Sequence, residues 1–452
     1  MAKPMISVAG IRGTVGGSLV PEEFLKFVAA FTSTLDKRVV VVGGDTRPSR
    51  RMVRHLVFGA ALATGCRVLD LGVVPTPTIG FMANHLGAGG GIGVTASHNP
   101  LDWNALKFFS SEGVFLTAPE MQRVLDRHEK SDFDYRPYDQ LGSLETVDDP
   151  TGPHLRRTLE RVNASAVRAR KFKVAIDLCN GAGAALLPRL LDELGCETTT
   201  VFADPDKAFE RVAEPLPENL GALSAAVKHS GAALGFAVDP DADRLALVDE
   251  TGRPIGEERT LTLVSLAVLS RWKGKTPPPP LVANLSTTRA LDDVAARFQT
   301  RVERTKIGEA HVVERIRATG AIIGGEGNGG VIYPAIHPGR DAAAGIALLL
   351  EALAESGETL SEMNRRVPDY VMVKQKVGVE GKDLRAIFAK MRETFSDAVD
   401  FNDIDGLKIS FADSWLHVRP SGTEPIVRVF TEAPDEKTAR ALAERAMAVA
   451  RG

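Results

Sequence analysis

Cysteine is scarce, with three residues (Cys66, Cys179 and Cys196) in a chain of 452. Their spacing matches neither a zinc site nor a disulfide framework, which fits a reducing compartment. Neither sign of charge dominates. Lys and Arg number 55 against 58 Asp and Glu, a formal net charge of −3. No global pull toward nucleic acid or membrane follows, so any basic site is local. Long apolar runs are missing too. The longest, AAAGIALLL at 342–350, stops at Glu351, far short of the ~20 residues of a membrane span. The opening MAKPMISVAGIRG has too short an apolar run for a signal peptide, and Arg12 interrupts it. A soluble cytoplasmic protein is expected, with no nucleic-acid or membrane partner, as a monomer or homodimer.

What is present is ordinary core material, 44% apolar and 25% charged residues, enough for every domain to bury a core. Three segments repeat one pattern. KRVVVVGGDTR, KFKVAIDLCNGAG and PLVANLSTTRALDDVAARF each read as a buried strand, a loop of small or polar residues, and then an amphipathic helix. Val/Ile-rich strands alternating with helices predict parallel α/β layers. The polar, turn-rich stretch 131–152 reads as a linker, and the pattern changes again at 249–259. TPPPP at 276–280 cannot be helix interior and reads as a stiff turn into the third unit's strand. After RRVPDYVMVKQKV the chain reads as a mixed α+β tail. Four domains result, at 1–150, 151–254, 255–366 and 367–452.

VDPDADRLALVDE, 238–250, sets Asp239, Asp241 and Asp243 two residues apart. On a strand or tight loop such side chains share a side. Three converging carboxylates repel unless a cation neutralises them, and hard oxygen ligands suit Mg²⁺ or Ca²⁺. Asp239 to Glu250 nearly fits a calcium-binding EF-hand loop. However, its sixth position, which needs glycine, is Arg244, its second is Pro240, and its flanks read as strands. A solvated acidic turn is the bland alternative; a Mg²⁺ site with open coordination positions is the favoured one. GGEGNGG, 324–330, satisfies GxGxxG by letter. A dinucleotide site would need a helix next, whereas VIYPAIHPGR follows with two prolines. A flexible polar loop presenting Glu326 and Asn328 to a polyhydroxylated ligand is expected instead of a mere turn. RPSGTEPIVRV, 419–429, gathers Arg419, Ser421, Thr423 and Arg428 around Gly422 and two prolines. Guanidinium forks, hydroxyls and exposed backbone N–H groups suit a phosphate dianion, though a Pro/Gly turn reads similarly. The Walker pattern is absent. In TASHNP, 95–100, Ser97 lies outside any GxSxG elbow. A distant Ser-His-Asp arrangement stays open, but a metal site and a phosphate loop in one chain point to phosphoryl transfer.

TASHNP, DPDADR, a GE loop and RPSGTEP occur in the order found in the α-D-phosphohexomutase superfamily, and GIRG at 10–13 resembles its N-terminal signature. The resemblance spans about residues 10–430. It implies three similar α/β domains with mixed sheets plus a smaller C-terminal α+β domain around a central cleft. It implies that Ser97 carries a phosphoryl group, and that Asp239, Asp241 and Asp243 hold one Mg²⁺ per chain together with a phosphoserine oxygen. Arg244 and Arg12 would grip the phosphoserine, Lys107 would assist proton transfer, and His98 flanks the nucleophile. Glu326 would contact the sugar. Arg419, Ser421, Gly422, Thr423 and Arg428 would hold the phosphate that is not reacting. The implied reaction isomerises a hexose phosphate through a 1,6-bisphosphate, which also serves as activator.

Two loops depart from the phosphomannomutase/phosphoglucomutase pattern. That pattern puts Ser-Gly-His shortly after the sugar-loop glutamate, where this chain has Asn328, Gly329 and Gly330. It puts Gly-His in the third domain's loop, where this chain has Gly308 and Glu309. Both departures resemble the phosphoglucosamine mutase branch in its archaeal-type form. A carboxylate at Glu309 would suit an amino group on C2 of the sugar. His311, two residues on, is a weaker candidate and reads more readily as an ordinary histidine. A sugar-phosphate phosphatase using Ser97 transiently and a non-catalytic sugar-phosphate binder are the rival classes.

Overall fold

Three of the four sheets share one construction, in which parallel strands end in an antiparallel hairpin. The computed structural model describes residues 3–421 and 426–452. In the first sheet, Val39–Gly44 lies parallel to Arg67–Val73 and Gly90–Val94. The chain then turns and returns antiparallel as Trp103–Ser110, followed outward by Gly10–Thr14 and Met5–Ser7. In the second, Lys173–Asp177 lies between Glu197–Val201 and Leu234–Val238, all parallel, and Leu245–Asp249 returns antiparallel. In the third, Leu281–Asn284 lies between Val302–Thr305 and Gly324–Glu326, and Gly330–Tyr333 and His337–Arg340 reverse direction. The sheets are therefore mixed, as the family resemblance implies, with an antiparallel hairpin added to the parallel layers that the strand–helix alternation suggests.

Each reversal lies at the carboxyl end of a parallel strand, where α/β sheets present their ligand sites. The three turns are 95–102, 239–244 and 327–329, which carry Ser97, the aspartates and Asn328. The fold thus delivers one chemical loop per unit to a shared cleft.

The fourth sheet is wholly antiparallel, with Val371–Gly378, Ile426–Ala433, Trp415–Pro420, Leu407–Ser410 and Asp400–Asn402 in spatial order. Helices Leu384–Thr394 and Glu436–Arg451 pack on it. The second and third units share one apolar core running from Leu155 to Val367. The helix Ala342–Ser356 supplies much of it, burying Ile346, Leu348, Leu349, Leu350 and Leu353. That burial accounts for the apolar run at 342–350. Among the described residues no helix is long and apolar enough to cross a membrane.

Two expectations need correcting. The stretch 131–152 is not merely a linker, because Leu144–Thr146 adds an edge strand to the first sheet, parallel to Arg67–Val73. An ion pair between Arg67 and Glu145 spans the two strands. All three strand residues are exposed, so no apolar alternation announces it. GGEGNGG is not a flexible loop. It forms a tight hairpin between Gly324–Glu326 and Gly330–Tyr333.

Candidate active site

Ser97 follows the strand Gly90–Val94 and adopts φ 50°, a left-handed conformation that costs a non-glycine residue about 1–3 kcal/mol. A buried clamp holds it there. Arg47, wholly buried, donates from its guanidinium to the carbonyls of Ser97, Asn99 and Pro100. Its Nε lies 3.0 Å from Asp45 Oδ2, which also accepts from Thr95 Oγ1 at 2.6 Å. Thr95 Oγ1 in turn accepts the Ser97 N–H at 3.0 Å. The Ser97 hydroxyl is thereby aimed across the unit boundary, donating to Asp239 Oδ2 at 2.7 Å.

The three aspartates occupy the hairpin turn after Leu234–Val238, and all are fully buried. One oxygen from each can be chosen so that all lie within 4.8 Å of one another. Asp239 Oδ1 accepts the N–H groups of Asp243 and Arg244, both at 3.2 Å. Asp241 Oδ2 accepts from Lys107 Nζ at 2.7 Å and Thr76 Oγ1 at 2.6 Å. Asp243 Oδ2 accepts from Arg340 Nη2 at 2.8 Å and Lys107 Nζ at 3.3 Å. The other oxygens, Asp241 Oδ1 and Asp243 Oδ1, are buried with no hydrogen-bond partner. Buried unpaired carboxylate oxygens are costly, and two beside a third carboxylate fit a hard divalent cation. Burial and the two neighbouring acids push the Asp239 carboxyl well up. Burial would also raise Asp241, but Lys107 and Thr76 outweigh it and hold the carboxyl low. Burial disfavours the Lys107 ammonium, yet Asp241 and Asp243 overcome that and raise it.

Around Ser97 opens a cleft of about 1000 Å³, lined by Arg12, His98, Lys107, Arg244, Glu309, Glu326, Asn328, Arg419 and Arg428, among others. Burial, then repulsion by the guanidiniums of Arg244 and Arg428, lowers Arg12. Arg244 pairs with Glu214 at 3.0 Å, while its buried Nε makes no hydrogen bond and lies 3.9 Å from Asp243 Oδ1. His98 Nδ1 lies 3.4 Å from Ser97 Oγ. Burial, Arg244 and Arg12 push this imidazole down to about 2, so it is neutral.

Glu326 ends its strand facing the cleft and accepts from Asn284 Nδ2 and the Gly308 N–H, each at 2.9 Å. Burial opposes its charge, but Arg340 and Asn284 prevail and hold its carboxyl low. Glu309 opens the helix Glu309–Thr319, and both of its oxygens accept from Arg340, at 2.8 and 3.2 Å. Asn328 Oδ1 accepts the Gly330 N–H at 3.2 Å. The Gly329 carbonyl accepts the Leu245 N–H at 3.0 Å, and a Cβ at Gly329 would meet the Leu245 carbonyl oxygen at 2.4 Å. Glycine therefore allows this hairpin to dock on the aspartate hairpin. Arg419 and Arg428 are cross-strand partners in the fourth sheet. Arg419 Nε is fixed by Asp405 at 2.8 Å, whose second oxygen accepts the Ile307 N–H at 2.9 Å. Ser421 follows Arg419 on this strand's exit, outside the cleft lining. Gly422 and Thr423 lie outside the described residues.

Motif reading did not single out Arg340, Arg47, Asp45, Glu214 or Asp405. Asp45 and Arg47 stand in GGDTR directly after a strand, a position that could have drawn attention. Nothing in the local pattern distinguishes Arg340 or Asp405, which reach the site through tertiary folding.

Four family profiles match the chain in order. They are described as phosphoglucomutase/phosphomannomutase alpha/beta/alpha domain I over residues 5–135, domain II over 153–252, domain III over 257–370, and the C-terminal domain over 362–449. The chain is 40% identical over 438 residues to the "Phosphoglucomutase/phosphomannomutase" of Thermococcus kodakarensis, covering 95% of each chain. It is 36% identical over 450 residues to the "Probable phosphoglucosamine mutase" of Methanopyrus kandleri, covering 98% of this chain and 97% of that one. Among solved structures it resembles a phosphoglucomutase/phosphomannomutase family protein from Burkholderia thailandensis. There the TM-score is 0.84 at 28% identity, with 99% and 98% of the two chains covered.

Proposed function

This chain belongs to the phosphoglucomutase/phosphomannomutase family of phosphohexomutases, which are isomerases, and on that basis we propose that it works through a phosphorylated Ser97, most readily interconverting glucosamine 6-phosphate and glucosamine 1-phosphate. The observation that carries this reading is the 2.7 Å contact of Ser97 Oγ with Asp239, within a carboxylate cluster holding two buried oxygens that make no hydrogen bond.

In this reading Ser97 gives its phosphoryl group to the free hydroxyl of a bound hexose monophosphate. The Oγ–phosphorus bond breaks as the hydroxyl oxygen–phosphorus bond forms. The Lys107 ammonium returns a proton to Ser97 Oγ, and the resulting amine takes the one lost by the sugar hydroxyl. Arg12 and Arg244 bind the reacting phosphoryl oxygens. Arg419 and Arg428 hold the distal phosphate, while Glu326, Asn328 and Glu309 face the sugar. Mg²⁺ held by Asp239, Asp241, Asp243 and a phosphoserine oxygen would withdraw charge from the phosphoryl group. The resulting 1,6-bisphosphate turns over in the cleft, and the reverse transfer to Ser97 releases the isomer. Domain closure would keep out water, which would otherwise hydrolyse the phosphoserine.

The preference for an amino sugar rests on the carboxylate at Glu309 and on relatives named phosphoglucosamine mutase. One observation favours neutral hexose phosphates instead. Both Glu309 oxygens are engaged by Arg340, so its charge is largely answered within the protein. The test gives purified protein Mg²⁺, a trace of hexose 1,6-bisphosphate, and either glucosamine 6-phosphate, glucose 1-phosphate or mannose 1-phosphate, with Ser97→Ala in parallel. Faster turnover of the glucosamine phosphate supports this reading. Faster turnover of the glucose and mannose phosphates replaces it with a phosphomannomutase/phosphoglucomutase, and rapid phosphate release would make it a phosphatase.

A further inference from the structure

Arg340, the last residue of the strand His337–Arg340, brings three carboxylates from two units onto one guanidinium. Its Nε meets Glu309 at 2.8 Å, Nη1 meets Glu326 at 3.2 Å, and Nη2 meets Asp243 at 2.8 Å. Its backbone N–H donates to the second Glu309 oxygen at 3.2 Å. The Asp243 contact parallels that of Lys107 with Asp241. In both acids one oxygen, Oδ2, is held by a basic side chain, and the other, Oδ1, is buried without a hydrogen bond, Asp243 Oδ1 lying 3.9 Å from Arg244 Nε. The two bases thus leave one oxygen of each acid without a hydrogen bond, within a group whose ligand atoms can lie within 4.8 Å of one another.

The space for Arg340 is provided at one place. A Cβ on Gly330 would lie 2.3 Å from Arg340 Cδ and 3.0 Å from Cγ, against 3.1 Å from Asn328 Oδ1. Gly330 is not among the residues with left-handed backbone, so its conformation alone admits other residues. What excludes a side chain there is chiefly Arg340. A planar guanidinium can serve three acceptors in fixed directions, which an ammonium cannot.

We propose that Arg340 is a positioning residue joining the metal cluster to the sugar site. It sets Asp243 with Oδ1 free for a divalent cation, orients Glu309 and Glu326 in the cleft, and depends on Gly330 for room. This rests on reading the cleft as a metal-dependent phosphohexose site. The structural consequence is that Gly330 and Arg340 act as one unit.

The test is a double-mutant cycle in the full-length protein. Gly330→Ala, Arg340→Ala and the double variant are compared by calorimetric titration with Mg²⁺, without sugar, and by kcat and KM with the best hexose phosphate. Losing a side chain that orients a metal ligand typically weakens metal binding about 10–100-fold. A loss in that range is expected for Arg340→Ala, and Gly330→Ala is expected to show a similar one. In the Arg340→Ala background, Gly330→Ala should add less than about twofold, because its two nearest obstacles, Arg340 Cγ and Cδ, have gone. Arg340→Lys, which keeps the charge and is the variant to use if Arg340→Ala does not fold, should lower kcat by more than it raises KM. Multiplicative effects of the two single variants, or wild-type Mg²⁺ affinity in Arg340→Ala or Arg340→Lys, would overturn the proposal. If wild-type protein isomerises no hexose phosphate, the proposed function fails, while the Mg²⁺ titrations still decide this one.

Discussion

Arg47 donates from its guanidinium to the carbonyl of Ser97 while its Nε lies 3.0 Å from Asp45. Side chain and partner are both shut off from solvent. The left-handed turn that aims the Ser97 hydroxyl at Asp239 is therefore held by a buried ion pair. Removing one member of such a pair typically costs about 3–5 kcal/mol, and displacing a reacting group by ~1 Å can cost about 100-fold in rate. Arg47→Lys should accordingly lower kcat about 100-fold with little change in KM, and should lower the unfolding midpoint. Steady-state kinetics with thermal unfolding checks both.

Removal of divalent metal should abolish turnover, and Mg²⁺ should restore it. Asp241→Asn keeps the side chain's shape but replaces a charged ligand. It should raise the Mg²⁺ concentration for half-maximal activity by about tenfold or more. Titration of chelator-treated protein measures this, and an unchanged Mg²⁺ requirement would remove Asp241 from the metal site.

Asp405 spans two functions, fixing Arg419 with one oxygen and the Ile307 N–H with the other. Asp405→Asn can keep a neutral contact but loses the ion pair. If Arg419 grips the phosphate that does not react, its contribution is the same in ground and transition states, and KM alone should rise, by about tenfold, with kcat within about threefold. A fall in kcat at unchanged KM would contradict that role.

Glu309→Gln should lower the preference for glucosamine over glucose phosphates if the carboxylate meets the C2 amino group. The ratio of kcat/KM for the two sugars measures this. An unchanged ratio would assign Glu309 to Arg340 alone.

Lys408 links the third and fourth units, donating to the Leu285 carbonyl at 2.6 Å and lying 4.3 Å from the Trp415 ring. Burial, then Arg304, pushes its ammonium from 10.5 down to about 7. The folded state therefore disfavours the charge. The penalty is fully present below pH 7 and fades as the pH rises toward 10.5, so this group's contribution to stability grows with pH across that window. Denaturant unfolding of wild type and Lys408→Met should show wild type gaining on the variant by up to a few kcal/mol between about pH 7 and pH 10. Parallel pH curves would show that Lys408 stays charged in the folded protein.

Much of this was legible in the sequence where chemistry coincides with local periodicity. Val/Ile strands alternating with amphipathic helices announce the α/β units, and aspartates two residues apart announce a converging cluster, because side-chain direction on a turn or strand is local. The exposed strand Leu144–Thr146 is invisible to that logic, since its pairing is set by backbone hydrogen bonds and the Arg67–Glu145 ion pair. GGEGNGG reads as a loop because its hairpin depends on docking against Leu245, a contact with a distant segment. Arg340 is hidden for the same reason. Its three acidic partners lie 14, 31 and 97 residues away in sequence, and only the meeting of two hairpins brings them together.

In the proposed mechanism Ser97 stores and returns a phosphoryl group. The most direct measurement incubates the protein with Mg²⁺ and hexose 1,6-bisphosphate labelled in its phosphates, locates the label by peptide mass spectrometry, and then adds unlabelled hexose monophosphate. Label is expected on Ser97 and not in Ser97→Ala, with discharge to the sugar on chase. Label on another residue, or discharge from Ser97 to water as free phosphate at the rate of turnover, would contradict it.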